Sequence, residues 1–121
     1  MKIIFLLLSI SLLFGCQPRD LPTVFNMSDG YALMKVSHMT TRDELNNISQ
    51  KLKTQNIELD FSASEFFDNG KLRTLKLSVT TPDGSRGVTG ADQVGLQYKY
   101  FGFLYQRSGT PAFKIGEMGL L

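Results

Sequence analysis

The sequence predicts an α+β fold in which one helix packs on a small, mainly antiparallel sheet. Three observations lead to this prediction: a capped amphipathic helix, two strands of alternating polarity joined by a turn, and an aromatic segment near the carboxyl end. The predicted order is β-α-β-β, followed by one or two further strands. A right-handed crossover would place these strands in one sheet with the helix on one face. The domain is expected to span residues 24–121, with the β-α-β-β core at residues 31–81.

The first predicted strand and helix occupy residues 31–53. Residues 31–39 are rich in apolar and β-compatible types, which is typical of a strand. Thr41-Arg42-Asp43-Glu44 fits a capping box. In this motif the Thr41 side chain accepts a hydrogen bond from the backbone amide of the third helical residue, and the Glu44 side chain accepts one from the backbone amide of Thr41. Apolar residues then recur at spacings of three and four. They predict one buried stripe, made of Leu45, Ile48 and Leu52.

Two segments of alternating polarity follow, at residues 57–64 and 74–80, as expected for a half-exposed antiparallel sheet. Asp68-Asn69-Gly70 between them is a hairpin signal. A two-residue loop would set Phe61 against Ser78, an apolar side chain against a polar one. A three-residue loop with Gly70 left-handed avoids this mismatch. That register pairs Phe67 with Lys71, Phe61 with Leu77, Leu59 with Val79, and Glu65 with Arg73.

The last third of the chain is predicted to hold a loop, an aromatic strand and a tail. Residues 82–93 are rich in glycine and predict a loop, and without Gly-Lys-Ser/Thr they are not expected to cradle phosphate. Residues 94–121 form the aromatic segment and tail, with a short last strand at 112–116. The aromatic segment is interpreted as a strand that completes the core or, alternatively, as an exposed platform for peptide or glycan. Its candidate binding residues are Tyr98, Tyr100, Phe101, Phe103 and Tyr105.

Cys16, the only cysteine, follows a leader typical of bacterial lipoproteins. Lys2 supplies a positive charge, and Gly15 precedes the cysteine. The apolar run at residues 3–14 is shorter than the roughly 20 residues that a spanning helix needs. We therefore expect residues 1–15 to be a signal peptide, Cys16 to carry diacylglycerol and an acyl chain such as palmitate, and residues 16–23 to be a tether. With no second cysteine, the domain is expected to fold without disulfides.

The anchor predicts a place in the cell envelope. Each buried CH₂ of an acyl chain contributes about 0.8 kcal/mol to membrane attachment, so several acyl chains on Cys16 would anchor the protein stably in the membrane. Gln17 in place of Asp favours the outer membrane, and the lack of an acidic run after it favours the periplasmic face. Residues 17–23 would reach at most about 25 Å, at roughly 3.3 Å per residue. A partner is therefore expected in or beside the membrane.

Charge and composition argue against nucleic-acid binding and against catalysis. Without residues 1–15 the chain has twelve Lys and Arg against eleven Asp and Glu, and no basic stripe. Acid–base or zinc chemistry needs convergent His, Cys, Asp or Glu, but His38 is the only histidine. Glu58 and Asp60 share a polar face, where charge pairing with Lys76 and Arg73 is the simpler interpretation. We expect no catalytic residue, metal ligand or cofactor.

Residues 39–87 resemble a small extracytoplasmic domain of Gram-negative bacteria, the one appended to β-lactam-sensor-type membrane metallopeptidases. The resemblance rests on fold-forming residues, such as Thr-Thr-Arg-Asp-Glu-Leu at 40–45, Asn-Ile-Glu-Leu-Asp-Phe-Ser at 56–62 and Leu-Lys-Leu-Ser-Val at 75–79. It covers about half of the chain after the predicted signal peptide and implies a βαββ module, here as a separate lipoprotein. It implies no catalytic residue, because the His-Glu-x-x-His motif of the peptidase is absent.

These observations favour a lipid-anchored, non-catalytic envelope protein that binds a protein or peptide near the membrane. The aromatic segment or a free sheet edge is the expected binding surface. The alternative is a protein that binds peptidoglycan or another envelope glycan. The chain has no tryptophan, which makes specialised sugar stacking a weaker expectation.

Overall fold

The structure, a computed structural model, describes residues 18–120. Cys16 and the predicted signal peptide at residues 1–15 lie outside these residues. The predicted mixed class is confirmed: about 17% of the described residues are helix and 45% are strand, and the strands are mainly antiparallel. Neither helix within residues 18–120 is long and apolar enough to cross a membrane.

Eight strands and two helices make up the described part of the chain. Their order is β1 (Val24–Ser28), β2 (Tyr31–Val36), α1 (Arg42–Lys53), β3 (Glu58–Asp60), β4 (Glu65–Phe66), β5 (Leu72–Thr80), β6 (Arg86–Ala91), α2 (Gln93–Tyr98), β7 (Tyr100–Gln106) and β8 (Phe113–Met118).

The strands form two antiparallel sheets instead of the single sheet expected. The first sheet has the order β1-β2-β7-β8. In the second, β5 lies at the centre, with β3 and β4 along one edge and β6 along the other. The expected crossover within one sheet is wrong, because β1 and β7 occupy both edges of β2 and leave none for the strands after α1.

One core lies between the two sheets and α1. The predicted helical stripe of Leu45, Ile48 and Leu52 is buried, and burying a leucine side chain contributes about 1.5–3 kcal/mol. Alternate residues of the strands complete this core, because successive side chains in a strand point to opposite faces. They include Ala32, Met34 and Val36 of β2, Leu75, Leu77 and Val79 of β5, and Phe103 and Tyr105 of β7.

The predicted capping box starts α1. Thr41 Oγ1 accepts from the Glu44 amide at 3.2 Å, and Glu44 Oε1 accepts from the Thr41 amide at 3.0 Å. Lys51 and Lys53 lie in the last turn, where positive charge interacts favourably with the helix dipole. The helix ends at Lys53, and Thr54 is its C-cap.

The predicted three-residue turn is confirmed. The Phe67 amide donates to the Lys71 carbonyl at 2.8 Å. Gly70 has φ +87°, a left-handed conformation that glycine adopts at little cost. Leu59 pairs with Val79 as predicted, so the register chosen from the polarity of the two faces is correct where β3 meets β5.

The ladder is interrupted between β3 and β4, which the sequence did not predict. Phe61 lies in this interruption, and its expected pairing with Leu77 is absent from the ladder. A bulge then sets Glu65 opposite Thr74 in place of Arg73. The Arg73 guanidinium still reaches the Glu65 carboxylate at 3.1 Å, so the predicted charge pair forms across the shifted register.

Residues 82–93 are not the predicted loop. Only residues 82–85 remain a turn. Half of the segment, residues 86–91, forms β6, which pairs with β5 from Arg86 opposite Thr80 to Ala91 opposite Leu75. The glycines of this segment led to the prediction of a loop, because glycine is depleted in strands. Position 87 has no room for a side chain, because a Cβ there would lie 2.6 Å from the Ile115 side chain of β8.

The expected strand at residues 94–99 is also wrong, because these residues lie in or directly after α2. Asp92 caps α2 and accepts from the Gly95 amide at 2.7 Å. Leu96 is the buried residue of this short helix. A helix of only six residues has too little periodicity to be distinguished from a strand in the sequence.

Candidate functional site

The aromatic segment does not form the exposed platform that was one of the two interpretations. Tyr100, Phe103 and Tyr105 are buried and Phe101 is half-buried. Tyr98, in α2, is the only exposed residue of the five candidates, at 41%. The physical reason is the position of β7, which pairs with β2 on one side and β8 on the other and has both faces covered.

The amino-terminal segment covers the second face of the first sheet. Leu21 is buried in a small cluster with Tyr100 and Met118. The Tyr100 hydroxyl donates to the Pro22 carbonyl at 2.6 Å, and the Ser37 hydroxyl donates to the Leu21 carbonyl. Residues 19–23 are therefore part of the folded domain.

The predicted tether, residues 16–23, is therefore too long. The docked part begins at Arg19, whose amide donates to the Gln97 carbonyl of α2 at 3.1 Å. The Thr23 hydroxyl is 2.8 Å from that of Thr40 and donates to Glu44 Oε1 at 3.3 Å, which ties the segment to the cap of α1. Only Gln17 and Pro18 separate the docked segment from Cys16, the predicted lipidation site.

Burial of Tyr100 changes its acidity. Removal from water raises the pKa of the Tyr100 phenol, and the negative charge of Asp20 raises it further. The hydroxyl therefore stays protonated at neutral pH and remains a donor to Pro22. This face of the sheet also holds Lys35, whose Nζ donates to the Gly119 carbonyl at 2.7 Å and lies 5.7 Å from the centre of the Tyr100 ring.

A groove of about 390 Å³ lies on the outer face of the second sheet. We name it the β5–β6 groove. Its surface is mainly apolar, because Ala63 and Val88 contribute apolar side chains and Gly90 has none. Val88 is 72% exposed, the highest fraction among the exposed large hydrophobic residues of the described chain.

Two opposite charges line the β5–β6 groove, on Asp60 and Lys76. Hydrogen bonds from the Ser62 amide at 2.9 Å and the Ser62 hydroxyl at 2.7 Å lower the pKa of Asp60, with a smaller contribution from Arg86. Asp60 is therefore ionised at neutral pH. The Lys76 ammonium group forms no ion pair within residues 18–120.

The strand that borders this groove is hydrogen-bonded along one edge only, although β8 packs against it at Gly87. β6 pairs with β5 only, and no other described strand forms a ladder with it. An unpaired edge presents backbone N–H and C=O groups that can pair with another chain. The residues of this site were missed in the sequence, although Val88-Thr89, a β-branched pair, was a local signal for a strand.

The described residues do not bring together a metal-binding set. Within residues 18–120, no three His, Cys, Asp or Glu side chains are grouped so that they could hold a metal ion. His38 Nδ1 is 3.1 Å from the Leu96 carbonyl oxygen, and the His38 amide donates to the same oxygen at 2.9 Å. His38 thus holds α2 against the end of β2. Glu58 and Asp60 form no ion pair with Lys76 or Arg73, since Arg73 pairs with Glu65.

Comparison of the chain with protein-family models, with curated proteins and with solved structures found no match in any of the three.

Proposed function

We propose that this protein is a lipid-anchored, non-catalytic module of the cell envelope that binds an extended peptide segment of a neighbouring protein. The observation that carries the proposal is the β5–β6 groove beside the unpaired edge of β6. A peptide that adds to this edge as a strand would satisfy the free backbone groups, and alternate side chains of the peptide would reach the groove.

The dimensions and charges of the groove define the kind of peptide. β6 runs from Arg86 to Ala91, and at about 3.3 Å per residue its edge is about 20 Å long, which matches five or six residues of peptide. Ala63 and Gly90 leave room beside Val88 for an apolar side chain. Asp60 and Lys76 can pair with a basic and an acidic residue of the same peptide.

The short connection between the docked amino-terminal segment and Cys16 supports a position of this activity close to the membrane. The three residues from Cys16 to Arg19 span at most about 11 Å when extended, so a domain anchored at Cys16 stays against the lipid. The leader and Gln17 support attachment to the outer membrane, and the lack of an acidic run after Gln17 supports its periplasmic face. The resemblance of residues 39–87 to an appended extracytoplasmic domain is consistent with a binding role.

Site-specific crosslinking in cells tests the groove. A photo-crosslinking amino acid at Val88 of the full chain is expected to capture one envelope protein, through a short segment identified by mass spectrometry. Ala63→Trp, which fills the groove from an exposed position, should abolish that adduct and leave thermal unfolding unchanged. The matched control is the same crosslinker at Thr110, exposed in the loop between β7 and β8. Equal adducts at both positions, or an adduct that survives Ala63→Trp, would contradict the proposal.

The anchor is tested separately, by Cys16→Ser. This change should abolish labelling with a fatty-acid analogue and release the protein from the membrane fraction. Because Cys16 is the only cysteine, no second thiol can replace it. Continued labelling, or unchanged sedimentation with membranes, would show that the anchor is wrong, whatever the result at the groove.

A further inference from the structure

We infer that the α2 end of the domain lies on the bilayer surface, with Val94, Tyr98 and Leu120 in the interfacial layer of the lipid. The inference rests on the proposed lipidation of Cys16. It goes beyond the lipidation of Cys16 by stating which part of the domain contacts the membrane. The lipidation signal in the sequence does not specify this orientation.

The path of the chain places the anchor beside α2. The Arg19 amide is hydrogen-bonded to the Gln97 carbonyl of α2, and Cys16 comes three residues before Arg19. Three residues span at most about 11 Å when extended. Acyl chains on Cys16 would therefore enter the bilayer close to α2.

The opposite end of the domain cannot share this position. It holds the Asp29–Gly30 turn and the loop after β7, joined by an ion pair of 3.1 Å between Arg107 and Asp29. β7 runs from Tyr100 at the α2 end to Gln106 at the opposite end, a distance of about 20 Å at about 3.3 Å per residue. That end is charged and polar, and it points away from the anchor.

Exposed apolar side chains are concentrated at the α2 end. Val94 and Tyr98 are four residues apart and share one face of α2, whereas Leu96, on the other face, is fully buried. Val94 is 64% exposed and Tyr98 41%, and Leu120 at the end of the described chain is 53% exposed. These are three of the five exposed large hydrophobic residues within residues 18–120. Tyrosine is enriched at membrane interfaces, where its ring meets lipid and its hydroxyl meets headgroups.

Charge attraction contributes little to this contact. Arg19 and Lys99 lie at the α2 end, but Lys99 pairs with Glu117 at 3.1 Å, and Asp20 and Asp92 add negative charge. The surface is close to neutral, so apolar contact carries the interaction. The contact should therefore depend little on salt or on anionic lipid, because screening acts on charge and not on apolar burial.

Tryptophan fluorescence tests this orientation, because the chain contains no tryptophan and a single substitution gives an unmixed signal. Full-length lipidated protein is purified and reconstituted into phosphatidylcholine vesicles whose acyl chains carry bromine, which quenches nearby tryptophan. The probes are Val94→Trp and Tyr98→Trp. The control is Ser108→Trp, exposed in the loop at the opposite end.

The expected result is that Val94→Trp and Tyr98→Trp lose most of their emission and shift to shorter wavelength, whereas Ser108→Trp keeps its emission. Added salt or phosphatidylglycerol should leave this pattern unchanged. Protein that floats with the vesicles but shows equal quenching at both ends, or none, would overturn the orientation and leave the anchor standing. Failure to float would overturn the anchor and, with it, the orientation.

Discussion

The hydroxyl of Tyr100 donates a 2.6 Å hydrogen bond to the carbonyl oxygen of Pro22, and so fixes the amino-terminal segment to the first sheet. Leu21 and Met118 pack in the same buried cluster. This contact makes residues 19–23 part of the domain and shortens the tether. It also accounts for the burial of an aromatic side chain that the sequence presented as a candidate binding residue.

Tyr100→Phe is expected to loosen this segment. Loss of the hydroxyl should lower the free energy of unfolding by about 1 kcal/mol, the usual net value of one hydrogen bond. Urea unfolding measures this change, and hydrogen exchange at the Arg19 and Leu21 amides should become faster. Tyr98→Phe is the control, because Tyr98 is exposed. If both variants changed the rate of hydrogen exchange equally, the contact of Tyr100 with Pro22 would not be responsible for fixing the amino-terminal segment.

Gly102→Ala is expected to disrupt the first sheet. Gly102 lies in β7 against β2, and a Cβ there would come within 1.9 Å of the Met34 carbonyl oxygen, so backbone must move. Overpacking of this kind should cost about 3 kcal/mol, measured by chemical unfolding. Gly119→Ala serves as the control, since nothing lies within 4 Å of its added Cβ. A stable Gly102→Ala protein with an unchanged midpoint would refute this packing.

Thr41→Ala should weaken the start of α1. The substitution removes the acceptor of the Glu44 amide, and the loss of such a cap costs about 1 kcal/mol. Thermal unfolding followed by circular dichroism measures it. Thr41→Ser keeps the hydroxyl and should recover most of the loss. If serine were as destabilising as alanine, the hydroxyl would not be responsible.

The pH dependence of stability should depend partly on Asp83. Its carboxylate accepts from the Thr81 hydroxyl and from the Ser85 amide at 3.1 Å, and these bonds lower the pKa of Asp83 from the ordinary 3.8. Because the folded pKa is below the unfolded one, the stabilisation is fully present above pH 3.8. It is lost as the pH falls through the folded pKa.

Asp83→Asn keeps an acceptor oxygen and removes this titration. Below pH 3.8, the unfolding free energy of the unaltered protein should fall more steeply than that of the variant, as measured by urea unfolding at a series of pH values. Parallel curves would mean that the two hydrogen bonds do not favour the charged carboxylate.

Local elements were predicted well because their signals lie within a few residues. The box of Thr41 and Glu44, the stripe of α1 and the left-handed Gly70 each follow from hydrogen bonds or side-chain spacing inside one segment. The register of Leu59 with Val79 also follows, because a slip of one residue would turn apolar side chains to the polar face.

The site was not predictable in the same way. β6 is a strand because β5 offers it an edge and because Gly87 fits against Ile115, and neither condition is visible in residues 82–93. The β5–β6 groove exists only where residues 60–63, β5 and β6 meet. The aromatic residues of β7 were ambiguous for the same reason, since alternation separates two faces without saying whether each is covered.

By itself, the sequence determined the mixed class, the capped helix, the hairpin turn and the register of Leu59 with Val79. The tertiary structure decided the division into two sheets, the docking of residues 19–23, the burial of Tyr100, Phe103 and Tyr105, and the open groove beside β6. The physical reason is the separation along the chain over which each kind of interaction acts. Caps, turns and periodicity act between near neighbours, whereas burial of a face or an edge depends on segments distant in the chain, such as Pro22 and Tyr100.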